Sequence, residues 1–341
     1  MNYRLVIAII LLLFAITGFL IINNNFYPTG AAITDKDIKT IKIGYIPSIS
    51  ATPMFIGINR GYFEDEGIKL ELIPFKGSGK YTVEALTRGD IDMAVCVPLS
   101  ARFFSAFKRR VPIHMVAGMS QALPWLSIRK DLWDSGEIRE IKDLEGRRIQ
   151  VGSEGSGSYF GVAYVLNQEG LDIKKDVDLV YLDQDEALAA LESKSIDAAS
   201  LRPPYLTSAR INGLVVLYPY MSKYFKSDKG YQRAVTFASE NFMNENPEVL
   251  KAFMRIHVKG AKIYNYAYEG IEPYKTEVVE VISNLTSIDE ETVRKMEWLY
   301  IPEDGKPDVD LIKLMHEYYV ETGVLEPIDL NEFINLSFLL D

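Results

Sequence analysis

From residue 41 the chain alternates between two hydrophobic patterns. Short apolar runs rich in β-branched residues predict strands, and stretches in which apolar residues return every three or four positions predict helices. "IKIGYI" reads as a strand. "TPMFIGINRG" opens as a helix, with Thr52 as N-cap, Pro53 in the first turn and Gly61 at the stop. "IKLELIPF" is a second strand, "KYTVEALTRG" a helix ended by Gly89, and "IDMAVCV" a third strand. The order then returns: "RRIQVG" strand, "SYFGVAYVLNQEG" helix, "DLVYL" strand, "EALAALESK" helix and "IDAASL" strand. From about Asn244 the pattern turns helical, beginning with "NPEVLKAFMRIHVKGAKIYNYAY".

Part of this order repeats residue for residue. Ala85-Leu86, Ile91-Asp92, Ala94 and Pro98 have the spacing of Ala190-Leu191, Ile196-Asp197, Ala199 and Pro203. Repeated strand–helix units predict an α/β fold of two similar lobes on largely parallel sheets. In such sheets ligands bind beyond the carboxyl ends of the strands. Followed to those ends, the first half collects Ser48, Ser50 and Thr52, then Gly77, Ser78 and Gly79, then Pro98 with Leu99. The second half collects Ser153, Ser156, Gly157, Ser158 and Tyr159, then Asp183, then Arg202, Pro203 and Tyr205. Asp92 and Asp197 fall at the opposite, amino ends and read as turn or cap residues. Tyr45, Trp125, Tyr159 and Tyr205 are candidates to line a cleft, with a place in the core as the alternative.

The stretch "VGSEGSGSYF", Val151 to Phe160, is the sharpest local motif. A triphosphate loop of the G-x-x-x-x-G-K-[ST] type would place lysine where Ser158 stands, and a dinucleotide loop would need its last glycine one residue before Gly161. What remains is a helix start whose unpaired amides, opened by glycine and supplemented by serine, suit a small anion or polar group. An ordinary N-capped turn is the structural alternative. Arg202 occupies the register of Val97, so one wall of a cleft would offer a guanidinium where the other is apolar. Arginine pairs bidentately with carboxylate, sulfonate or phosphate oxygens. Its alternative is an ion pair with Asp183 or Asp185.

Composition narrows the partners. The chain has 341 residues, is 48% hydrophobic and carries a net charge of −10, enough for two ordinary lobes with an acidic surface. Acidity without basic blocks argues against nucleic acid, and Lys108, Arg109 and Arg110 read as a solvated helix end. The single cysteine, Cys96, sits in an apolar run as a buried small hydrophobe, and the three scattered histidines give no metal spacing. Neither a Ser-His-Asp nor a Cys-His arrangement can be placed.

At the N-terminus, Leu5 to Ile22 is an uncharged apolar run of 18 residues, with Arg4 before it and Lys36 the next basic residue. At ~1.5 Å per residue it reaches ~27 Å, close to a bilayer core. It reads as a retained membrane anchor, with a cleaved signal as the alternative, and either way places the bulk of the chain outside the cell membrane. Residues 23–40 read as a polar tether.

Taken together, "IKIGYIPSISATPMFIGINRGYFEDEGIKLELIPFKGSGKYTVEALTRGDIDMAV", "IKDLEGRRIQVGSEGSGSYF", "SIDAASLRPPY" and "NPEVLKAFMRIHVKGAKI" resemble the nitrate/sulfonate/taurine-type substrate-binding proteins of ABC transporters. The resemblance covers roughly residues 41–265. It implies a type II periplasmic-binding-protein fold: an N-terminal hydrophobic helix at 1–22, a linker at 23–40, lobe 1 at 41–124 plus 232–341, and lobe 2 at 125–231, joined by a hinge. It implies a monomeric, non-catalytic extracytoplasmic receptor without metal or cofactor, delivering a small solute to an ABC permease and its ATPase. The binding segments it implies are Ser48–Pro53, Gly77–Gly79, Pro98–Leu99, Ser153–Tyr159 and Arg202–Tyr205. Many members have an aromatic–acid–Pro pattern where this chain has Leu201-Arg202-Pro203, and the basic residue points to an anion. An enzyme on the same bilobal fold, a receptor for thiamine-precursor pyrimidines and a sensor acting in trans are the alternatives.

Overall fold

The computed structural model describes residues 38–75, 80–225 and 229–339. The apolar run at 5–22, most of the tether, and Gly77, Ser78 and Gly79 lie outside the described residues. No helix among those described is long and apolar enough to cross a membrane.

The first half runs β1 (Lys39–Tyr45), α1 (Thr52–Asn59), β2 (Ile68–Pro74), α2 (Lys80–Arg88), β3 (Met93–Pro98), α3 (Ala101–Lys108) and β4 (Ile113–Ala122). The second runs β5 (Leu126–Arg129), α4 (Lys130–Ser135), β6 (Arg148–Val151), α5 (Gly157–Gln168), β7 (Asp178–Tyr181), α6 (Gln184–Glu192), β8 (Ala198–Ser200), α7 (Tyr205–Ile211) and β9 (Val215–Leu217). The chain then forms β10 (Tyr231–Ser239), α8 (Glu240–Glu245), α9 (Pro247–Tyr268), α10 (Tyr274–Thr286), α11 (Glu290–Lys295) and α12 (Val309–Glu321).

Two five-stranded sheets result, ordered β2-β1-β3-β10-β4 and β7-β6-β8-β5-β9. Each is mixed rather than largely parallel. The three repeat strands are parallel, whereas β10 runs antiparallel to β3 and β4, and β5 antiparallel to β8 and β9. The reason is connectivity. The chain leaves the first sheet after β4, enters the second through β5, and returns through β10, so both crossing strands insert against the direction of their neighbours. They occupy the same place in the two sheets.

The sequence repeat is repeated geometry. The Asp92 carboxylate accepts from the Lys42 amide at 2.8 Å, and the Asp92 amide donates to the Lys42 carbonyl at 2.8 Å. Asp197 and Arg148 make the same pair of bonds at 2.9 and 2.8 Å. Each aspartate ties the start of a third strand to the first strand of its unit, the turn role expected for it. The preceding helices also end alike: the Asp90 amide reaches the Ala85 carbonyl and the Ser195 amide reaches the Ala190 carbonyl, both at 2.9 Å. The left-handed turn residue is Gly89 (φ +74°) in one copy and Lys194 (φ +58°) in the other.

One local expectation fails. Thr52 is the first helical residue of α1 and not its N-cap. A 3₁₀ turn at Ile49–Ala51 precedes it, so the chain is already helical there, and no extended residue sets a side-chain oxygen over the first amides.

The core does not divide cleanly between the sheets. One buried cluster includes Ala94 and Val97 of β3 together with Ile149 and Val151 of β6. Helix α12 joins them: Tyr318 meets Phe160 and Tyr164 of α5 at 5.6 and 6.3 Å between ring centres, while His316 meets Phe104 of α3 at 5.5 Å.

Candidate functional site

The Gly-Ser turn leads from β6 into α5. Ser156 is extended (φ −77°, ψ 160°) and caps α5, accepting from the Tyr159 amide at 3.2 Å. The Ser158 hydroxyl accepts from the Gly152 amide at 3.1 Å and lies 3.0 Å from the Ser156 hydroxyl. Both hydroxyls thus bond within the turn and hold its shape, leaving the amides of Gly157 and Ser158 at the helix start. Ser153 is exposed. Tyr159 is fully buried in the core with its hydroxyl unpartnered, and burial pushes the pKa of that hydroxyl well up.

The carbonyls of the same turn are taken by other parts of the chain. The Ala101 amide, at the start of α3, donates to Gly155 at 2.9 Å. The Tyr319 hydroxyl of α12 donates to Ser156 at 2.8 Å, and the Tyr231 hydroxyl of β10 donates to Gly157 at 2.7 Å. Three consecutive carbonyls are thereby held by donors outside the second sheet, and the opening edge of the turn is its amide side.

At the carboxyl end of the first sheet, Ser50 is buried and paired with Ser120 at 2.7 Å between hydroxyl oxygens. The Cys96 thiol donates to the Ser50 carbonyl at 2.9 Å; Cys96 is buried, as expected, but also left-handed at φ +59°. Thr52 and Ser100 are buried with unpartnered hydroxyls. Ser48 and Pro98 are half-buried. The Leu99 amide is held by the Arg233 carbonyl at 2.9 Å. Tyr45 is half-buried and packs on Phe55 at 5.3 Å between ring centres.

Arg202 follows β8. Its amide donates to the Gln184 side-chain oxygen at 2.8 Å, and the Gln184 amide group donates to the Ser200 carbonyl at 3.2 Å, so Gln184 braces the segment from both sides. The Arg202 guanidinium forms no ion pair with Asp183 or Asp185. Asp183 is engaged in capping α6. Arg202 remains exposed, yet surrounding protein lowers its pKa, chiefly by desolvation and then by the positive charge of Arg233, with Tyr205 and Asp183 acting in the opposite sense. Tyr205, at the start of α7, is half-buried beside it.

Arg233 escaped the sequence reading. It lies on β10, in the first sheet, half-buried, with its guanidinium 4.2 Å above the Trp125 ring and its Nη1 donating to the Tyr231 hydroxyl at 3.0 Å. No carboxylate pairs with it among the described residues. The available signal was charge: Arg233 is the one charged residue of β10. Gln184 had no comparable signal. A cavity of about 490 Å³ opens nearby, but Glu84 and Glu154 there balance Arg102 and Arg109.

Two sheets of the same order, exchanging one crossing strand each, define a type II periplasmic-binding-protein fold. Residues 35–269 match the profile of the NMT1-like family, and the chain belongs to that family. A protein of Bacillus subtilis (strain 168) named as a candidate aliphatic sulfonates-binding protein is 24% identical over 329 residues, covering 91% of this chain and 90% of its own. The bicarbonate-binding protein CmpA of Synechococcus sp. is 24% identical over 228 residues, 61% of this chain and 47% of its own, so this chain spans about half of that relative. The crystal structure of the periplasmic nitrate-binding protein NrtA from Synechocystis PCC 6803 superposes with a TM-score of 0.69 at 13% identity, covering 89% of this chain and 87% of that one. The resemblance seen in the sequence holds, and these relatives carry the names of binding proteins.

Proposed function

We propose that the chain is an extracytoplasmic solute receptor that captures a small anion between its two sheets and delivers it to an ABC permease. The observation that carries this reading is Arg202: a guanidinium in no ion pair, following the carboxyl end of β8, on a segment that Gln184 braces through the Arg202 amide. Free amides at Gly157 and Ser158, and the unpartnered hydroxyls of Thr52 and Ser100, supply further donors. An anion would satisfy these groups at once, whereas an empty closed site would leave them unpaired at a cost of about 1–3 kcal/mol each. The lobes would be 41–124 plus 232–341 and 125–231, closing on the solute by hinge bending. Ser48, Ser50, Pro98, Ser153, Ser156 and Tyr205 would then shape the walls, whereas Tyr159, fully buried in the core, would not. The names of the relatives (sulfonate, bicarbonate, nitrate) favour an anion, and a permease partner is supported by a relative in Brachyspira hyodysenteriae whose name is that of an ABC transporter periplasmic binding protein.

The test is a thermal-shift screen of the purified chain against nitrate, bicarbonate, sulfonates and carboxylates. A ligand at 100 times its dissociation constant should stabilise by about 2.7 kcal/mol. A screen in which no anion raises the melting temperature would reject the reading. Calorimetry on Arg202→Ala then assigns the contact. Affinity unchanged within about a factor of two would remove Arg202 from the site.

A further inference from the structure

The Glu297 carboxylate grips α7 with both oxygens. Oε2 accepts from the Thr207 hydroxyl at 2.9 Å, and Oε1 pairs with the Arg210 guanidinium. Thr207 and Arg210 are three residues apart on α7 and so share one face of the helix. Glu297 itself sits on a segment tied to the elements of the first sheet. The Trp298 ring lies 5.4 Å from that of Tyr264 on α9, and the Tyr264 hydroxyl donates to the Leu299 carbonyl at 2.8 Å. Tyr300 exchanges backbone bonds with Gln121 of β4 at 2.9 and 3.2 Å. Helix α7, by contrast, runs between β8 and β9 of the second sheet. Other long-range ion pairs stay on one side: Arg60–Glu277 and Arg255–Glu66 within the proposed first lobe, Arg129–Asp197 and Lys223–Glu169 within the second. Arg210–Glu297 joins the two.

The helix so gripped continues from the Arg202 segment. The Leu206 amide donates to the Arg202 carbonyl at 3.0 Å, and the Arg202 amide is held by Gln184 at 2.8 Å. Arg202 is bracketed between α6 and α7, so the seat of α7 against the first lobe sets where Arg202 stands against it. We infer that Glu297 is a positioning residue for the solute site, a latch that holds α7 and the Arg202 segment to the first lobe and lets go when the cleft opens. This rests on the receptor reading. Leu206 and Ala209 of α7 share a buried cluster with Ala261 and Tyr264, so apolar packing also joins the two sides. Salt separates the two contributions, because it weakens an ion pair partly in solvent and leaves apolar packing intact.

The experiment measures the distance between spin labels at Lys69→Cys and Glu145→Cys, exposed positions on the two lobes, in the full chain with the buried Cys96 left in place. Without added solute, Glu297→Gln and Arg210→Glu should each shift the distribution to longer distances. The charge-swapped double variant Arg210→Glu/Glu297→Arg should restore the parent's distribution. Raising NaCl from ~0.05 to ~0.5 M should lengthen the parent's distances but not those of Glu297→Gln. Nitrate, bicarbonate and methanesulfonate are then titrated, and an anion that binds the parent should leave Glu297→Gln about three- to tenfold faster. Unchanged distances, or an unchanged dissociation rate, would overturn the latch while leaving the receptor reading in place. If none of the three anions binds the parent, the receptor reading falls, and the positioning role with it, whatever the distances show.

Discussion

The hydroxyl of Tyr231 donates to the carbonyl of Gly157 across 2.7 Å, joining the strand by which the chain re-enters the first sheet to the helix start at the Gly-Ser turn of the second. The same oxygen accepts from Arg233. Tyr231→Phe removes both bonds and little volume. We expect it to lower unfolding stability by about 1–2 kcal/mol and to weaken anion binding by about five- to thirtyfold, because Arg233 loses its anchor. Chemical denaturation and calorimetry read the two effects. Unchanged values in both would mean that the tyrosine only fills space.

Asp92 and Asp197 make the same backbone bonds, but only Asp197 also faces guanidinium groups, with Arg129 Nη1 at 3.3 Å and Arg148 Nε at 3.7 Å. It is 8% exposed. Asp197→Ala should therefore cost about 2 kcal/mol, since it leaves the Arg148 amide unpaired and removes contacts to two guanidinium groups, of which Arg129 keeps Asp131, whereas Asp92→Ala should cost about 1 kcal/mol. Urea unfolding of the two variants checks the order, and equal losses would contradict this account.

Gly260 lies inside α9, where helix propensity alone would favour alanine by about 1 kcal/mol. The structure reverses the sign. A β-carbon there would stand 2.1 Å from the Pro53 carbonyl oxygen and 2.8 Å from its carbon, backbone atoms that cannot swing aside. Gly260→Ala should destabilise by about 2–3 kcal/mol by forcing α9 off α1. A melting temperature at or above that of the parent would show the helices to be less tightly seated.

His257 is fully buried on α9, neither ring nitrogen has a partner, and burial lowers its pKa from 6.5 to about 4. The folded protein holds the ring neutral while the unfolded chain takes up a proton below about pH 6.5. Stability conferred by neutrality is complete at pH 7, falls as pH drops toward 4, and does not fall further from this group below that. The loss totals about 3 kcal/mol. His257→Leu should flatten this part of the stability–pH curve and cost little at pH 7. A variant curve parallel to the parent's would place the acid sensitivity in other groups.

The strand and helix order, the twofold repeat and the turn roles of Asp92 and Asp197 were legible in the sequence because each depends on neighbours within one unit. Apolar spacing reports which residues face a core, and a repeated turn is repeated backbone chemistry. Thr52 shows where this stops. Its Thr-Pro signature is sound as a capping signal, but a preceding turn whose conformation is not written in those two residues had already started the helix. The serines of the Gly-Ser turn were recognised as polar, yet whether their hydroxyls face a ligand or each other depends on rotamers that only the folded turn sets.

The sequence by itself determined the two α/β units, the glycine-rich helix start and the unusual arginine at 202, since these are properties of short segments. Only the tertiary structure decided that β5 and β10 cross between the sheets, that α12 packs on both, and that Arg233 comes to lie on Trp125 and Tyr231. The physical reason is that a strand's place in a sheet is settled by pairing with distant backbone, and a charge left without an acid is visible only after every acid has been placed.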